Sequence, residues 1–308
     1  MAHVLVTGGM GFIGNHLVYR LLEMNHKVMV IDKSIYKPLH CNVNGAEIIE
    51  GDVLSRELLH DCLQQVDVCF HLAALSSVCL CDKDWIYSHE NNVLAFNGLL
   101  TELTKIEKPV KLVYASSAAV YGQGKHLPFA ETEHVVPRST YGADKLSNEL
   151  YAKVMEVSHH LQSTGLRFFN VYGPGQLDNN PYSGVITSFK KALLAKQPIK
   201  IYGDGKQSRD FIYVDDVVNA LLLAMETSDT ESGIYNVCTG NSISITDLAN
   251  TMMWLTKTNV DIEYHPERVG DLKHSTGDPR LARESLIFSS SINIEEGLSR
   301  FLRAYFSI

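Results

Sequence analysis

The 308-residue sequence has little of what would mark a specialised polymer. It contains only 9 prolines and 21 glycines, against 45% hydrophobic and 20% charged residues, so neither a disordered nor a fibrous chain is indicated. Excess positive charge is also missing. With 27 Lys+Arg against 35 Asp+Glu the formal charge is −8, which works against a general grip on nucleic-acid backbones or anionic lipid. No long uncharged span reads as a membrane segment, and no leader reads as secretory. Pro/Gly/Ser-rich linkers and internal repeats are absent too, so a chain long enough for about two domains reads as interleaved. The six cysteines (Cys41, Cys62, Cys69, Cys79, Cys81 and Cys238) are scattered over mostly apolar segments, which fits a reducing cytoplasm. Cys79 and Cys81 form one tight pair with His71 upstream, but no second pair stands at zinc-site spacing. Packing is their expected role, and no metal is expected.

What is present is a rhythm. Short β-branched runs at 3–7, 27–32, 46–53, 66–74 and 110–117 alternate with amphipathic stretches, the first a helix from about Phe12 to Met24. Runs such as Val4–Val6 lack clean alternation, as strands covered on both faces do. The expected fold is α/β, a doubly wound parallel sheet. A long helix is expected from Tyr141 to about Leu161 and a strand over 166–173, followed by helices over 183–196 and 215–226 with a strand and turn at 199–205 between them. Residues 1–170, with a returning segment near 211–240, read as a dinucleotide-binding domain, and 171–308 mainly as a smaller, interleaved substrate-binding region. Ligands of such sheets lie beyond the strands' carboxyl ends, so the loops after Val6, Ile31, His71, Ser117 and Asn170 are expected to converge on one crevice.

The first of those loops carries Gly8, Gly11 and Gly14, with Phe12 and Ile13 between the last two. Glycines there permit a tight turn and close backbone approach to a pyrophosphate at a helix start; the plainer alternative is an ordinary strand–helix turn. Asp32 ends the second strand, where a carboxylate accepts from adenosine ribose hydroxyls and repels a 2′-phosphate, so NAD is favoured over NADP. Alone, it would be a solvated turn residue. Asp52 and Val53 are candidates for the adenine, and Leu72, Ala73 and Ala74 for a backbone running close to the cofactor, although Ala pairs also serve packing.

Tyr141 and Lys145 stand four residues apart at a helix start, on one face. A phenol titrates at about 10, so it needs nearby positive charge to act as a base at neutral pH. Ser116 and Ser117 end the strand at 110–117, where a hydroxyl can share a proton with a substrate oxygen or simply cap a turn. A nicotinamide with a Ser/Tyr/Lys set describes hydride transfer at a carbinol carbon. A serine hydrolase fits less well, since no Gly-x-Ser-x-Gly elbow is present.

The ordered motifs TGGMGFIG, Asp32, HLAA, ASSAAVYG, YGADK, RFFNVYGPG and GDGKQSRDFIYVDD resemble those of the extended short-chain dehydrogenases/reductases, in their NAD-dependent sugar-nucleotide epimerase/dehydratase group, from Thr7 to about Asp278. The resemblance implies a Rossmann-type fold, Ser117, Tyr141 and Lys145 as the catalytic set, and Asn92 and Ser116 among the cofactor contacts. It also implies that Ser117, Asn170, Arg209, Arg268 and Asp271 hold a UDP-sugar. A salt bridge to Asp210 or Asp215 is the blander role for Arg209. Dehydratases and decarboxylases of the group resemble one another in acidic residues just after the active Ser; Ala118 and Ala119 stand there, implying a 4-epimerase. Ser275 occupies the position that resembles a gate, often a bulky Tyr, so N-acetylated hexoses as well as plain ones are expected. A UDP-glucuronate 4-epimerase or another sugar-nucleotide oxidoreductase, and a non-catalytic NAD-binding module, remain as alternatives. This sequence departs from its relatives at Cys81, Trp85 and Ala95-Phe96-Asn97, and it is short for the group. Helices at about 88–106 and 142–160 resemble those that pair in a homodimer.

Overall fold

A computed structural model describes residues 1–35, 40–124, 126–176, 184–227, 233–268 and 272–306. The chain begins β1 (His3–Thr7), α1 (Phe12–Glu23), β2 (Lys27–Asp32), β3 (Glu47–Glu50), α2 (Arg56–Leu63) and β4 (Val68–His71). Two short helices, α3 (Val78–Lys83) and α4 (Trp85–His89), lead through a π-helical turn at Glu90–Leu94 into α5 (Ala95–Leu103). Next come β5 (Lys111–Ser117), α6 (Thr140–His159) and β6 (Ser163–Phe168). The remainder is β7 (Asn170–Tyr172), α7 (Val185–Ala195), β8 (Ile199–Tyr202), β9 (Ser208–Arg209), β10 (Phe211–Tyr213), α8 (Val214–Glu226), β11 (Gly233–Val237), β12 (Ile243–Ser244), α9 (Ile245–Thr256), β13 (Ile262–His265), β14 (His274–Ser275), α10 (Arg280–Ser285) and α11 (Ile294–Leu302).

Seven parallel strands form the main sheet in the order β11-β6-β5-β4-β1-β2-β3. Strand order reverses between β1 and β4, and that switch point opens a crevice at their carboxyl ends. Both faces are dry. Val4 and Val6 pack with Leu17, Leu21 and Leu221 of α1 and α8, while Leu5 faces the other way onto Leu59, Phe96 and Leu99 of α2 and α5. This two-sided burial is why the strand sequences read as continuous apolar runs. A third cluster, including Phe189, Ile201, Leu248, Met252 and Phe301, packs α7, β8, α9 and α11 together.

The strand expected over 166–173 divides in two. Through Phe168 the chain pairs with β5 and β11, but Asn170–Tyr172 pairs with β10 in a separate two-stranded sheet. Phe169 N–H still reaches the Val237 carbonyl (3.1 Å), and Asn170 N–H turns to the Asp210 carbonyl (3.0 Å), so the choice of acceptor marks the exit from the main sheet. The helix expected over 183–196 is Val185–Ala195, and Ser183 lies outside the described residues.

Candidate active site

At the switch point the phosphate turn and the loop after β4 are pressed together. Gly8 has φ +72°, and an added Cβ would lie 2.7 Å from Ala73 N. A Cβ on Gly14 would lie 2.2 Å from the Gly8 carbonyl oxygen. Any side chain at either position must therefore displace backbone, so the turn and the start of α1 keep their N–H groups open to a phosphate. Gly11 N–H closes the turn on the Gly8 carbonyl at 3.1 Å, and Phe12 and Ile13 begin α1 partly buried in the core. Asp32 Oδ2 accepts from Met10 N–H (3.0 Å) and Oδ1 from Ser34 N–H (3.2 Å), which sets the carboxylate beside the turn. Asp52 lies one strand further out, where its Oδ1 accepts from Leu54 N–H and its Oδ2 meets Lys33 Nζ at 3.0 Å, while Val53 is buried. Leu72 and Ala73 line the switch point, held to Thr7 by Leu72 N–H (3.1 Å) and Ala73 N–H (3.4 Å); Ala74, next in the loop, is partly buried. This close-packed cradle and its flanking carboxylate fit a dinucleotide.

The proton-handling groups meet one strand away. Ser139 caps α6 by accepting Gly142 N–H at 3.1 Å, and a Cβ on Gly142 would lie 2.6 Å from the Ala119 carbonyl oxygen. The first turn of α6 is thus pressed against the 3-10 turn Ala118–Val120 that follows β5, and Tyr141 hydrogen-bonds Ser117. Lys145, one helical turn on, is buried, with its Nζ donating to the Ala115 carbonyl (2.8 Å) and 5.7 Å from the centre of the Tyr141 ring. Burial pulls Lys145 down to about 8, opposed by the charges of Asp144, Cys81 and Glu149. The Tyr141 phenol is pushed up to about 12 by desolvation, with the Ser117 hydrogen bond pulling the other way. The protein's own groups therefore hold the phenol protonated and ready to donate, and its use as a base requires added positive charge.

Strand alternation separates the two serines. Ser117 faces Tyr141, while Ser116 points to the opposite side and donates to Glu149 Oε1 at 2.5 Å. Glu149 in turn holds Arg167 through two parallel bonds, Nε to Oε1 (2.9 Å) and Nη2 to Oε2 (2.7 Å). Arg167 Nη1 donates to Tyr121 OH (2.8 Å), which donates to Asn236 Oδ1 (2.7 Å), so a buried chain of polar groups ties β5 and α6 to β11. The Asn92 side chain clamps the loop after β4, accepting Leu75 N–H (2.8 Å) and donating to the Leu75 carbonyl (3.2 Å) and Asp144 Oδ2 (3.3 Å). Asp144 also accepts from Ser88 Oγ at 2.6 Å. Ser116 and Asn92 thus spend their polar atoms on the frame of the site. Sequence reasoning passed over Asp144, Glu149 and Arg167; only Glu149 had an available signal, since Tyr141, Lys145 and Glu149 follow one another at four-residue steps.

The far side of the crevice is assembled from distant loops. Asn170 Nδ2 donates to the Asp210 carbonyl (3.1 Å), next to Arg209 on β9. Arg209 Nη1 donates to the Ser208 carbonyl (2.9 Å), and β9 pairs in parallel with β14 so that Ser275, buried, stands opposite Arg209. Asp210 Oδ1 accepts from Thr239 N–H and Oγ1 and Oδ2 from Gly240 and Gly277 N–H, and its burial raises the carboxyl; Asp215 faces His16 and Arg300. Arg268 is exposed, its guanidinium carbon 3.9 Å from the Tyr202 ring centre. Asp271 lies outside the described residues.

Comparisons with known proteins bear on this geometry. Residues 4–238 match the model of the NAD-dependent epimerase/dehydratase family. A UDP-glucose 4-epimerase of Mycolicibacterium smegmatis is 34% identical over 303 residues, 96% of this chain and 96% of that protein. Among solved structures, UDP-N-acetylglucosamine 4-epimerase from Methanobrevibacter ruminantium M1, in complex with UDP-N-acetylmuramic acid, superposes with a TM-score of 0.93 at 37% identity, covering 98% of this chain and 97% of that one. UDP-glucuronic acid 4-epimerase from Bacillus cereus, in complex with UDP-glucuronic acid and NAD, superposes with a TM-score of 0.88 at 30% identity over 98% of both chains.

Proposed function

Because this chain belongs to the NAD-dependent epimerase/dehydratase family, with NAD as its cofactor, we propose that it inverts carbon 4 of UDP-N-acetylglucosamine and UDP-N-acetylgalactosamine, and also accepts UDP-glucose and UDP-galactose. The observation that carries the choice of sugar is Ser275, a small buried residue in register with Arg209; in this reading its size, in place of a bulky side chain, admits an acetamido group beside the diphosphate anchor. Likeness to the M. ruminantium enzyme supports the same choice. Ala118 and Ala119 place no acid after Ser117 to drive elimination. A uronate substrate would call for a further cation, but Arg138 donates to Gln123 Oε1 (2.7 Å) and the Lys190 ammonium lies buried 3.8 Å from the Tyr305 ring centre.

In this reading Gly8, Gly11, Gly14 and the start of α1 hold the pyrophosphate, Asp32 the adenosine ribose, and Asp52 and Val53 the adenine side. When bound, NAD supplies a reversible hydride acceptor for a carbinol carbon and a positive charge near Tyr141. Tyr141 takes the proton from the sugar's C4 hydroxyl as that carbon is oxidised, and returns it after the 4-keto sugar has turned about its phosphate link. Ser117, bonded to the phenol, orients the hydroxyl, while Lys145 holds the nicotinamide ribose and favours the phenolate. Asn170, Arg209, Arg268 and Asp271 hold the nucleotide diphosphate, for which the arginine fork is suited.

The enzyme works as a homodimer in the same proposal. Leu150, Val154 and Val157 lie exposed along α6, near Leu94 at the end of the π turn, and a helix-on-helix contact would cover them. Six free thiols agree with a reducing compartment, and among the described residues no helix is long and apolar enough to cross a membrane. Assays of the purified protein on UDP-N-acetylglucosamine, UDP-glucose and UDP-glucuronate, without added NAD, test the reading. Turnover of the first two is expected. Activity on UDP-glucose with none on the acetylated sugar rejects the role given to Ser275, and activity on UDP-glucuronate alone moves the enzyme to the uronate class.

A further inference from the structure

On the outer flank of α1, His16 together with His40 and Cys41 brings one potential ligand atom each to within 4.8 Å of one another. We propose that these three side chains, with Asp215 of α8, form a binding site for a divalent cation of the zinc type. His16 is oriented for it: its Nε2 lies 2.9 Å from the Pro174 carbonyl oxygen, which can only accept, so Nε2 carries the proton and Nδ1 keeps its lone pair. That lone pair faces Cys41 Sγ at 3.8 Å and Asp215 Oδ1 at 3.8 Å. A carbonyl on the far nitrogen is the outer-shell arrangement that fixes ligating histidines. The His40 ring stacks on His16 with centres 5.1 Å apart.

The surroundings hold the donors in place. Asn15, buried on α1, pins the Cys41 backbone from both sides, accepting its N–H at 3.1 Å and donating to its carbonyl at 3.3 Å. Arg300 Nη1 lies 3.7 Å from Asp215 Oδ2, leaving Oδ1 on the His16 side. Bonds of about 2.3 Å to sulfur and 2.0 Å to nitrogen at the tetrahedral angle would set S and N about 3.5 Å apart, so the His16–Cys41 pair at 3.8 Å is nearly in place, while His40, within 4.8 Å of both, and Asp215 move further in to complete the set. Two imidazoles, a thiolate and a carboxylate suit a borderline-soft ion such as zinc. Burial also favours the neutral imidazole of His16 that a metal requires, and pushes the Cys41 thiol up to about 11. Coordination therefore replaces the S–H bond with a sulfur–metal bond and releases the proton to solvent. Such a site would strap the segment after β2 to α1 and α8 beside the phosphate turn.

Cobalt(II) added to the chelator-stripped, full-length protein is the direct probe. The expected result is one equivalent bound, a thiolate-to-cobalt charge-transfer band in the near ultraviolet, release of about one proton per ion, and displacement by zinc. Cys41→Ser should abolish the band and His40→Ala should weaken binding at least about tenfold, with circular dichroism confirming that each variant is folded. A missing band, or a band unchanged in Cys41→Ser, overturns the site, because another thiol would then be its source.

Discussion

At the end of the crevice proposed to take the phosphates Gly8 and Gly14 admit no side chain, whereas at the end proposed to take the sugar Asn170, Arg209, Arg268 and Ser275 come from separate loops and small strands. One end is made of backbone packed on backbone, and the other of side chains held by short pairings such as β9 with β14. A backbone cradle has few sequence solutions and little tolerance. A side-chain pocket can change its ligand one residue at a time while the fold stays put, which is how one family can serve several sugars.

The contrast can be broken most severely at Gly14. Replacing it with Ala sets a Cβ 2.2 Å from the Gly8 carbonyl oxygen, so Gly14→Ala is expected to weaken NAD binding at least about a hundredfold in a titration and to lower the melting temperature. Next in size, Tyr141→Phe should cut kcat by about 10²- to 10⁴-fold with NAD affinity retained, as single-turnover and binding measurements would show. Lys145→Met should also remove activity, yet leave the cofactor-free protein no less stable in thermal melts.

The sign for Lys145 follows from its depressed value. Near pH 9 the unfolded chain holds a proton that the folded one has lost, so the stability of the wild type rises with pH between about 8 and 10.5, and Lys145→Met flattens that rise. Turnover has the opposite trend, falling as pH climbs through about 8 and the charge is lost. The smallest effect belongs to the sugar end. Ser275→Tyr should lower kcat/KM for the acetylated substrates by about 10- to 100-fold and change UDP-glucose by less than about threefold.

Legibility in the sequence divides along the same line. The parallel strands from β1 to β5, the glycine turn and the Tyr141–Lys145 pair are local patterns, and each leaves its mark within a few neighbouring residues. The division of 166–173 into β6 and β7 does not, because both halves are apolar and the Val237 and Asp210 carbonyls, far along the chain, decide where the strand leaves the sheet. Ser116 and Ser117 could have been told apart by the two-residue period of a strand, which sends them to opposite faces. The pairing of Glu149 with Arg167, and of His16 with His40, Cys41 and Asp215, is a product of folding: no motif spacing announces partners that stand on different elements.

Isotope retention tests the central chemistry most directly. UDP-N-acetylglucosamine carrying deuterium on C4 should yield UDP-N-acetylgalactosamine with the label still on C4, since a hydride removed and returned within the site never meets water, and Tyr141→Phe should form almost no product. Product whose C4 hydrogen has exchanged with solvent would mean that the carbon is deprotonated and reprotonated, and would contradict the account.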